Sequence, residues 1–194
     1  ILTGWGDEGL TPANLEAAPR LRIITVIGSS VVRFSPYAAL DRGIVLTNTA
    51  SAIGYSVAEF ALGQMLALLH KSLSRHRAME QCSGKHPDLT GRDLLGRTVG
   101  VIGVGAVGRI MVQVLRPFGV HLLLHDPFAP AETLAALGGE VVSLEELLSR
   151  SEVITVHAGL TEQSRGLIGR KQLALLREGV VIINTARGAL FDQE

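Results

Sequence analysis

The sequence predicts an α/β fold in which helices cover both faces of a parallel sheet. From about residue 98 onward, short runs of apolar residues alternate with segments whose apolar residues recur at helical spacing. Strands that are apolar at nearly every position are typical of a parallel sheet buried between two helical layers. Hydrophobic residues make up 47% of the 194-residue chain, which is ample for such a core. The predicted class is therefore a doubly wound parallel α/β sheet.

The N-terminal part of the chain predicts a shorter alternation of strand and helix. Its elements are expected at 1–5 (the end of a strand entering a loop), 21–27 (strand), 36–41 (helix) and 44–47 (strand). These elements are too few for a complete domain. We therefore expect residues 1–56 to be part of a second domain and residues 57–194 to be the main domain.

A long helix is predicted to join the two parts, from Ser56 to about residue 81. Ser56 is expected to be its N-cap, and Glu59 would complete a capping box three positions later. The main domain then repeats a strand and a helix. Its strands are expected at 98–102, 120–124, 141–142, 153–156 and 180–183, and its helices at 107–115, 131–137, 144–149 and 170–176.

Three glycines between the first strand and the first helix of the main domain form the pattern G-x-G-x-x-G. Gly103 allows a tight turn, Gly105 has no side chain to block a phosphate group, and Gly108 lets the helix lie close to the sheet. The backbone N–H groups of Ala106 and Val107 are then expected at the helix N-terminus, where the helix dipole favours anions. The pattern is typical of a dinucleotide-binding turn, although in a chain with 22 glycines it also arises as a plain structural turn.

An acid at the end of the next apolar run, Asp126, completes the dinucleotide-binding pattern. Its carboxylate is expected to accept hydrogen bonds from ribose hydroxyls and to repel a 2′-phosphate. The sequence therefore predicts a Rossmann-type nucleotide-binding domain that holds NAD in preference to NADP.

Composition and charge exclude several other kinds of partner. The 18 basic and 18 acidic residues cancel, and no stretch concentrates Lys and Arg, so we expect no nucleic-acid partner. The longest apolar segment, 58–69, is interrupted by polar residues and is expected to be too short to span a membrane. Cys82 is the only cysteine, so a disulfide framework or a cysteine-rich metal site is excluded within one chain. We therefore expect a cytoplasmic protein without a metal.

Five short motifs carry a resemblance to a known family. They are Arg42–Thr49, Ser56–Glu59, the glycine turn, His157–Thr161 and Asn184–Leu190. In this order they resemble the D-isomer-specific 2-hydroxyacid dehydrogenases over nearly the whole chain. The resemblance implies a flavodoxin-like substrate domain beside the nucleotide-binding domain, and hydride transfer between NAD and C2 of a small 2-hydroxy or 2-oxo acid. It also implies a homodimer that pairs through the nucleotide-binding domain and uses the long helix.

The resemblance assigns roles to residues of this chain. Arg187 matches the catalytic arginine, whose guanidinium is expected to clamp the substrate carboxylate and to polarise its carbonyl group. The loop whose backbone amides receive the substrate carboxylate matches Ser29, Ser30 and Val31. The cofactor-binding matches are His157, Ala158 and Gly159 under the cofactor, Ser164 near it, and Thr185 and Ala186 on the nicotinamide side.

Three departures from the family pattern concern the substrate. Val-Arg-Phe-Ser at 32–35 replaces a loop that commonly carries acidic residues and asparagine, residues 50–53 replace a common proline and asparagine, and Gly159 replaces a common proline. Arg33 is either an additional anion contact or a solvated loop arginine. The departures leave the particular 2-hydroxy acid open and do not exclude formate or phosphite.

The family's proton-exchanging histidine and its partner glutamate follow the arginine well downstream, whereas this chain ends at Glu194. No histidine of the chain stands in that place, so we expect a fragment that is inactive or weakly active by itself. Two alternatives stay open. One is a non-enzymatic NAD-sensing protein of the corepressor type on the same fold, and the other is a structural subunit that binds no nucleotide.

Overall fold

A computed structural model describes residues 1–4, 6–81 and 89–192. Cys82 and Glu194, both discussed above, lie outside the described residues. The chain divides into two compact units, Ile1–Tyr55 and Ser56–Glu194, which we call unit 1 and unit 2.

Unit 1 is built on a three-stranded parallel sheet in the order β1-β2-β3. Its strands are β1 (Leu2–Thr3), β2 (Ile23–Val26) and β3 (Val45–Asn48), and its helices are α1 (Pro12–Glu16) and α2 (Pro36–Asp41). The buried cluster of this unit holds Leu15 of α1, Ile24 of β2 and Ala39 of α2. Helix α1 was not expected from the sequence, although Thr11 and Asn14 form a reciprocal cap around Pro12 at its start.

The sheet of unit 2 has five parallel strands in the order β6-β5-β4-β7-β8. They are β4 (Thr98–Ile102), β5 (His121–His125), β6 (Glu140–Val141), β7 (Val153–Val156) and β8 (Val181–Asn184). The chain adds β5 and β6 on one side of β4 and then crosses to β7 on the other side. The strand order therefore reverses at β4, and in such sheets ligands bind at the carboxyl ends of the strands beside this point.

Both faces of the unit 2 sheet are covered. Leu122 and Leu124 of β5 lie in one buried cluster with Met65 and Met111, whereas Leu123 between them lies in a second cluster with Leu147. Successive strand residues point to opposite faces, so the two clusters are the two sides of the sheet. The doubly wound parallel fold expected from the sequence is confirmed.

Two helices of unit 2 precede its first strand and the others lie between its strands; the first helix begins in unit 1. They are α3 (Ala50–Leu69, which starts in unit 1), α4 (Ser72–Glu80), α5 (Ala106–Leu115), α6 (Ala131–Ala135), α7 (Leu144–Arg150) and α8 (Arg170–Leu173). Most predicted helix and strand ends agree with these bounds to within one or two residues; α6 and α8 end two and three residues earlier than expected.

The start of the long helix was predicted wrongly. Helix α3 begins at Ala50, so Ser56 is an internal residue of the helix and not its N-cap. Two residues upstream of Ala50, the Asn48 side-chain oxygen accepts a hydrogen bond from the Ala50 amide at 3.1 Å, and the Thr49 carbonyl accepts one from the Ile53 amide at 3.1 Å. Asn48 therefore supplies the capping group that the sequence interpretation placed at Ser56.

The long helix is also interrupted. The predicted helix from 56 to 81 is two helices, α3 and α4, separated at Lys71, whose φ of 52° is left-handed. Leu69 is the last fully buried side chain before the break, and α4 contributes no buried residue. Without an apolar face to bury, α4 has no packing reason to continue the axis of α3.

Within the described residues, α3 is the one helix that is long and apolar enough to cross a membrane, judged by length and composition only. The apolar segment 58–69 was expected to be too short for this, but the helix that contains it starts at Ala50 and has 20 residues. Four of its side chains, Ala58, Ala61, Met65 and Leu69, are buried in the core of unit 2.

Candidate functional site

The glycine turn between β4 and α5 forms the centre of the candidate site. Gly103 has a φ of 83°, and a Cβ built on it would overlap the backbone of Ala158. A Cβ on Gly108 would overlap the carbonyl oxygen of Gly103, whereas a Cβ on Gly105 would meet no heavy atom within 4 Å. Gly103 and Gly108 are therefore required by the packing of the turn, and Gly105 leaves an open space above it.

Helix α5 begins directly after this open space. Its N-cap is Gly105, which has no side chain to accept from the first N–H groups of the helix, and Ala106 and Val107 form the first turn. Unpaired amides and the positive end of the helix dipole attract phosphate groups. The open glycine and the bare helix N-terminus together fit the pyrophosphate of a dinucleotide.

Asp126 stands at the end of β5 and is fixed by the glycine turn. One carboxylate oxygen, Oδ2, accepts from the Val104 amide at 2.8 Å, and Oδ1 accepts from the Phe128 amide at 3.0 Å. The Gly103 amide also donates to the His125 carbonyl, at 2.9 Å. Because each carboxylate oxygen has a further lone pair, Asp126 still has acceptor capacity for ribose hydroxyls. Its second role, holding the turn in place, was not foreseen from the sequence.

The loop after β7 faces the glycine turn and forms the other wall of the candidate site. The His157 amide donates to the Ile102 carbonyl at 2.7 Å, which fixes this loop to the end of β4. Farther along, the Ser164 hydroxyl donates to the Gly159 carbonyl at 2.7 Å and accepts from the Thr161 amide at 2.7 Å. Ser164 is therefore buried and engaged in holding its own loop.

These elements enclose an open cleft of about 680 Å³, part of which is continuous with solvent. Seven of the residues expected to bind cofactor line it: Gly103, Gly105, Asp126, His157, Ala158, Gly159 and Ser164. Six further lining residues were not foreseen: Ile102, His125, Pro127, Phe128, Gln163 and Leu167. The cleft lies where the strand order reverses, which is the expected place for a dinucleotide.

Arg187 lies on a turn that follows β8. The Asn184 side chain spans this turn, because its oxygen accepts from the Ala186 amide at 3.0 Å and its nitrogen donates to the Arg187 carbonyl at 3.0 Å. The guanidinium of Arg187 is exposed and donates to the Ala186 carbonyl at 2.8 Å. Thr185, in the same turn, shares a hydrogen bond of 3.1 Å with His157 of the cleft. The predicted arginine, Thr185 and Ala186 are thus on a braced turn beside the cleft wall.

His157 is a largely buried titratable group in this wall. Burial lowers the pKa of His157 from 6.5 to about 4, because a charged imidazolium loses its hydration there. The ring is therefore neutral at neutral pH. Its two nitrogens face the hydroxyl groups of Thr155 and Thr185.

The predicted substrate loop belongs to unit 1. Ser29, Ser30 and Val31 follow β2, and the first two are exposed. The Asn48 side chain donates to the Ser29 carbonyl at 3.2 Å, and the Thr49 hydroxyl accepts from the Gly28 amide at 3.0 Å. The loop is thus held by residues at the end of the neighbouring strand β3.

Two residues of structural importance near the site were missed from the sequence, Asn184 and Thr155. Asn184 begins one of the five motifs, but the resemblance assigns no role to it. Thr155 is a fully buried polar residue within an otherwise apolar strand, and this contrast is the signal that could have found it.

The comparisons with known proteins agree with this geometry. A family model described as D-isomer specific 2-hydroxyacid dehydrogenase, NAD binding domain, matches residues 62–194. The chain is 34% identical to D-3-phosphoglycerate dehydrogenase of Methanocaldococcus jannaschii over 195 residues, which cover 100% of this chain and 37% of that protein. It is also 34% identical to hydroxypyruvate reductase of Thermotoga maritima over 185 residues, covering 95% of this chain and 60% of the relative.

A similar solved structure is D-lactate dehydrogenase from Aquifex aeolicus in complex with NAD and lactic acid. It superposes with a TM-score of 0.87 at 28% identity, over 99% of this chain and 57% of that chain. The chain therefore spans only part of the length of the relatives it matches. Since the family model covers well over half of the chain, this protein belongs to the D-isomer-specific 2-hydroxyacid dehydrogenases and carries their NAD-binding domain.

Proposed function

We propose that the protein containing this chain transfers a hydride between NAD and C2 of a small 2-hydroxy or 2-oxo acid. The observation that carries the proposal is that the turn with Arg187 is hydrogen-bonded to the loop with His157, which lines the cleft. The Arg187 turn is hydrogen-bonded through Thr185 to His157, and His157 lines the same cleft as Gly105 and Asp126. A carboxylate-binding group and a dinucleotide cradle therefore lie side by side.

The chain's own residues bind and orient the reactants. The open space above Gly105 and the amides of Ala106 and Val107 receive the pyrophosphate, and Asp126 receives the adenosine ribose. NAD, when bound, supplies or accepts the hydride at the nicotinamide ring. A 2′-phosphate beside Asp126 would be repelled by its carboxylate, so NADPH binds more weakly than NADH.

Arg187 acts on the substrate. Its guanidinium has five donors in a rigid fork, which suits a bidentate contact with a carboxylate and stabilises the negative charge that develops on the carbonyl oxygen. One N–H group of the exposed guanidinium donates to the Ala186 carbonyl in the same turn, and the other N–H groups are proposed to bind a ligand. Within unit 1, the backbone amides of Ser29, Ser30 and Val31 are proposed to bind a carboxylate.

The substrate class is proposed from the relatives, whose names include a hydroxypyruvate reductase and a glyoxylate reductase. The particular acid depends on residues 32–35, where Val32 and Arg33 are exposed and Phe34 is buried in unit 1. An exposed Arg33 is available to an anionic substituent of the substrate. The comparisons lend no support to the corepressor alternative.

The cofactor site is tested by fluorescence titration of the chain with NADH and NADPH, together with Gly105→Ala and Gly63→Ala. Both variants add one methyl group in open space, but only the first places it above the glycine turn. We expect NADH to bind more tightly than NADPH, and Gly105→Ala to weaken NADH binding by about tenfold or more with an unchanged melting temperature. Equal binding of NADH by wild type and Gly105→Ala would contradict the proposed pyrophosphate position.

The reaction is tested in the full-length protein with glyoxylate, hydroxypyruvate and pyruvate, by following NADH absorbance. Arg187→Ala should lower kcat/KM by roughly a hundredfold or more while NADH still binds, because a charged transition-state contact is lost. Arg165→Ala, in the exposed loop after β7, is the control. Reduction that is insensitive to Arg187→Ala would remove this arginine from the mechanism.

We further propose that the protein is a homodimer that pairs through α3. Phe60, Gln64 and Leu68 recur every four residues on one face of this helix, and the two apolar side chains are 61% and 53% exposed. Sedimentation velocity should show a dimer that Phe60→Glu dissociates. Tyr37→Glu, a similar change at an exposed position of unit 1, should leave the dimer intact.

A further inference from the structure

His157 makes contacts that neither cofactor binding nor proton transfer requires. Its Nε2 lies 2.8 Å from the hydroxyl oxygen of Thr155, and its Nδ1 lies 3.1 Å from the hydroxyl oxygen of Thr185. Thr155 is on β7, two residues before the histidine, and is fully buried. Thr185 is on the turn after the neighbouring strand β8. The imidazole therefore connects a fixed point in the sheet to the turn that carries Arg187.

The chemistry of the ring determines how this chain of hydrogen bonds is arranged. A neutral imidazole has one N–H donor and one acceptor nitrogen, and a threonine hydroxyl both donates and accepts. One threonine therefore accepts from the ring while the other donates to it. Burial keeps the ring neutral, since it lowers the pKa of His157 to about 4. With both nitrogens bonded to hydroxyl groups, the ring is poorly placed to exchange a proton with a substrate.

The turn that carries Arg187 is braced internally by Asn184 but is tied to the cleft by Thr185. Asn184 bonds to Ala186 and Arg187, which are residues of the same turn, so it fixes the shape of the turn and not its position. The hydrogen bond from Thr185 to His157 joins two different loops. Asn184 also stays paired with Val156 of β7, and Ala189 and Leu190 stay bonded to Gly166 and Ile168 of the loop after β7. Loss of the Thr185 bond would therefore loosen only the middle of the turn, from Thr185 to Arg187, where Asn184 holds the Ala186 amide.

We infer that His157 is a positioning residue, which holds the Arg187 turn against the cofactor cleft through the hydroxyl of Thr185. The functional meaning of this role rests on the proposed contact between Arg187 and the substrate carboxylate. The positional statement itself concerns the cofactor-free protein. It can therefore be tested even if the proposed reaction is wrong.

The matched variants are Thr185→Val and Thr155→Val. Each replaces a hydroxyl with a methyl group of similar shape, and each removes one of the two partners of the ring. Only Thr185→Val cuts the link to the Arg187 turn. We expect hydrogen exchange of the Ala186 amide, measured by NMR without cofactor, to accelerate about tenfold in Thr185→Val and to stay near the wild-type rate in Thr155→Val. Thr185→Ser, which keeps the hydroxyl, should restore the slow rate.

A second pair of variants changes the ring and leaves both threonines in place. The side-chain amide of asparagine reaches about as far as Nδ1, and that of glutamine about as far as Nε2. His157→Asn should therefore keep the bond to Thr185, and exchange at Ala186 should stay as slow as in wild type. His157→Gln should lose the bond to Thr185, and exchange at Ala186 should accelerate. Equal acceleration in Thr155→Val and Thr185→Val, or none in either, would show that the ring only fills space and would overturn the inference.

NADH titration of the same variants separates this inference from the proposed function. If wild type binds no NADH but Thr185→Val still accelerates exchange at Ala186, the positioning role stands and the proposed function fails. If NADH binds and exchange at Ala186 does not respond to Thr185→Val, the proposed cofactor site stands and His157 is not a positioning residue.

Discussion

At the scale of single residues, the three glycines of the turn between β4 and α5 are needed for different reasons. A methyl group on Gly108 would overlap the carbonyl oxygen of Gly103, whereas one on Gly105 meets open space. The spacing of the three glycines is visible in the sequence. The sequence does not show which glycine serves the fold and which serves the ligand, because that depends on atoms of other loops.

Gly108→Ala is expected to destabilise the protein by about 1–3 kcal/mol, because the overlap is with backbone, which moves only with the strand and helix it joins. Gly105→Ala is the matched control and should unfold at the wild-type midpoint. Urea denaturation followed by circular dichroism measures both. A Gly108→Ala protein as stable as wild type would mean that α5 can move away from the sheet without cost.

The buried hydroxyl group of Ser151 is a second feature at the scale of single residues. Ser151 is fully buried under Gly100, and its hydroxyl has no hydrogen-bond partner among the described residues. Because an unsatisfied buried hydroxyl costs about 1–3 kcal/mol, Ser151→Ala should be neutral or stabilising in the same urea experiment. Ser164→Ala is the contrasting variant, since the Ser164 hydroxyl is fully engaged and its removal should destabilise. Destabilisation by Ser151→Ala would indicate a partner, such as an ordered water.

At the scale of elements, strands and helices could be predicted where the local sequence pattern was clear. The strands Thr98–Ile102 and Val153–Val156 lie where the sequence predicted them, because both are apolar runs with clear flanking breaks. The start of α3 was missed because Asn48 and Ser56 are both acceptable caps, and the choice between them depends on the hydrogen bond of Asn48 to Ala50. The link between His157 and Thr185 was not predictable, since these residues are far apart in sequence and meet only once the sheet is formed.

The start of helix α7 is stabilised by a capping box formed by Ser143 and Glu146. The Ser143 hydroxyl accepts from the Glu146 amide at 3.2 Å, and the Glu146 carboxylate accepts from the Ser143 amide at 3.0 Å. The backbone hydrogen bond from Ser143 lowers the pKa of Glu146. Ser143→Ala should cost about 1 kcal/mol in the free energy of unfolding. Ser149→Ala, at the exposed far end of the same helix, should cost less, and equal losses would mean that the cap adds nothing beyond helix propensity.

At the scale of the whole molecule, the buried His157 makes stability depend on pH. The pKa of His157 is about 4 in the folded protein and is 6.5 as its ordinary value. Between these pH values the unfolded chain binds a proton that the folded chain does not, so the free energy of unfolding falls as pH drops from about 6.5 towards 4. The loss should reach about 3 kcal/mol, because each pKa unit corresponds to about 1.36 kcal/mol.

Urea denaturation at several pH values tests this dependence. Carboxyl groups such as Glu140, whose pKa is lowered by its hydrogen bonds to Arg150, lose their contribution only below their ordinary value of 4.5. The interval from pH 6.5 to 5 therefore reports mainly on histidine. His157→Asn should flatten the curve in that interval, and an unchanged slope would assign the effect to another group.

The cleft walls are locked together before any ligand arrives. Gly103 lies against Ala158, its amide donates to His125, and Asp126 holds Val104, so three loops fix one another. Such a wall needs no closing motion to accept the nucleotide half of the cofactor. Association should therefore follow a single exponential whose rate rises linearly with NADH concentration and reaches no plateau. The time that the cofactor spends on the protein would then be governed by its departure alone.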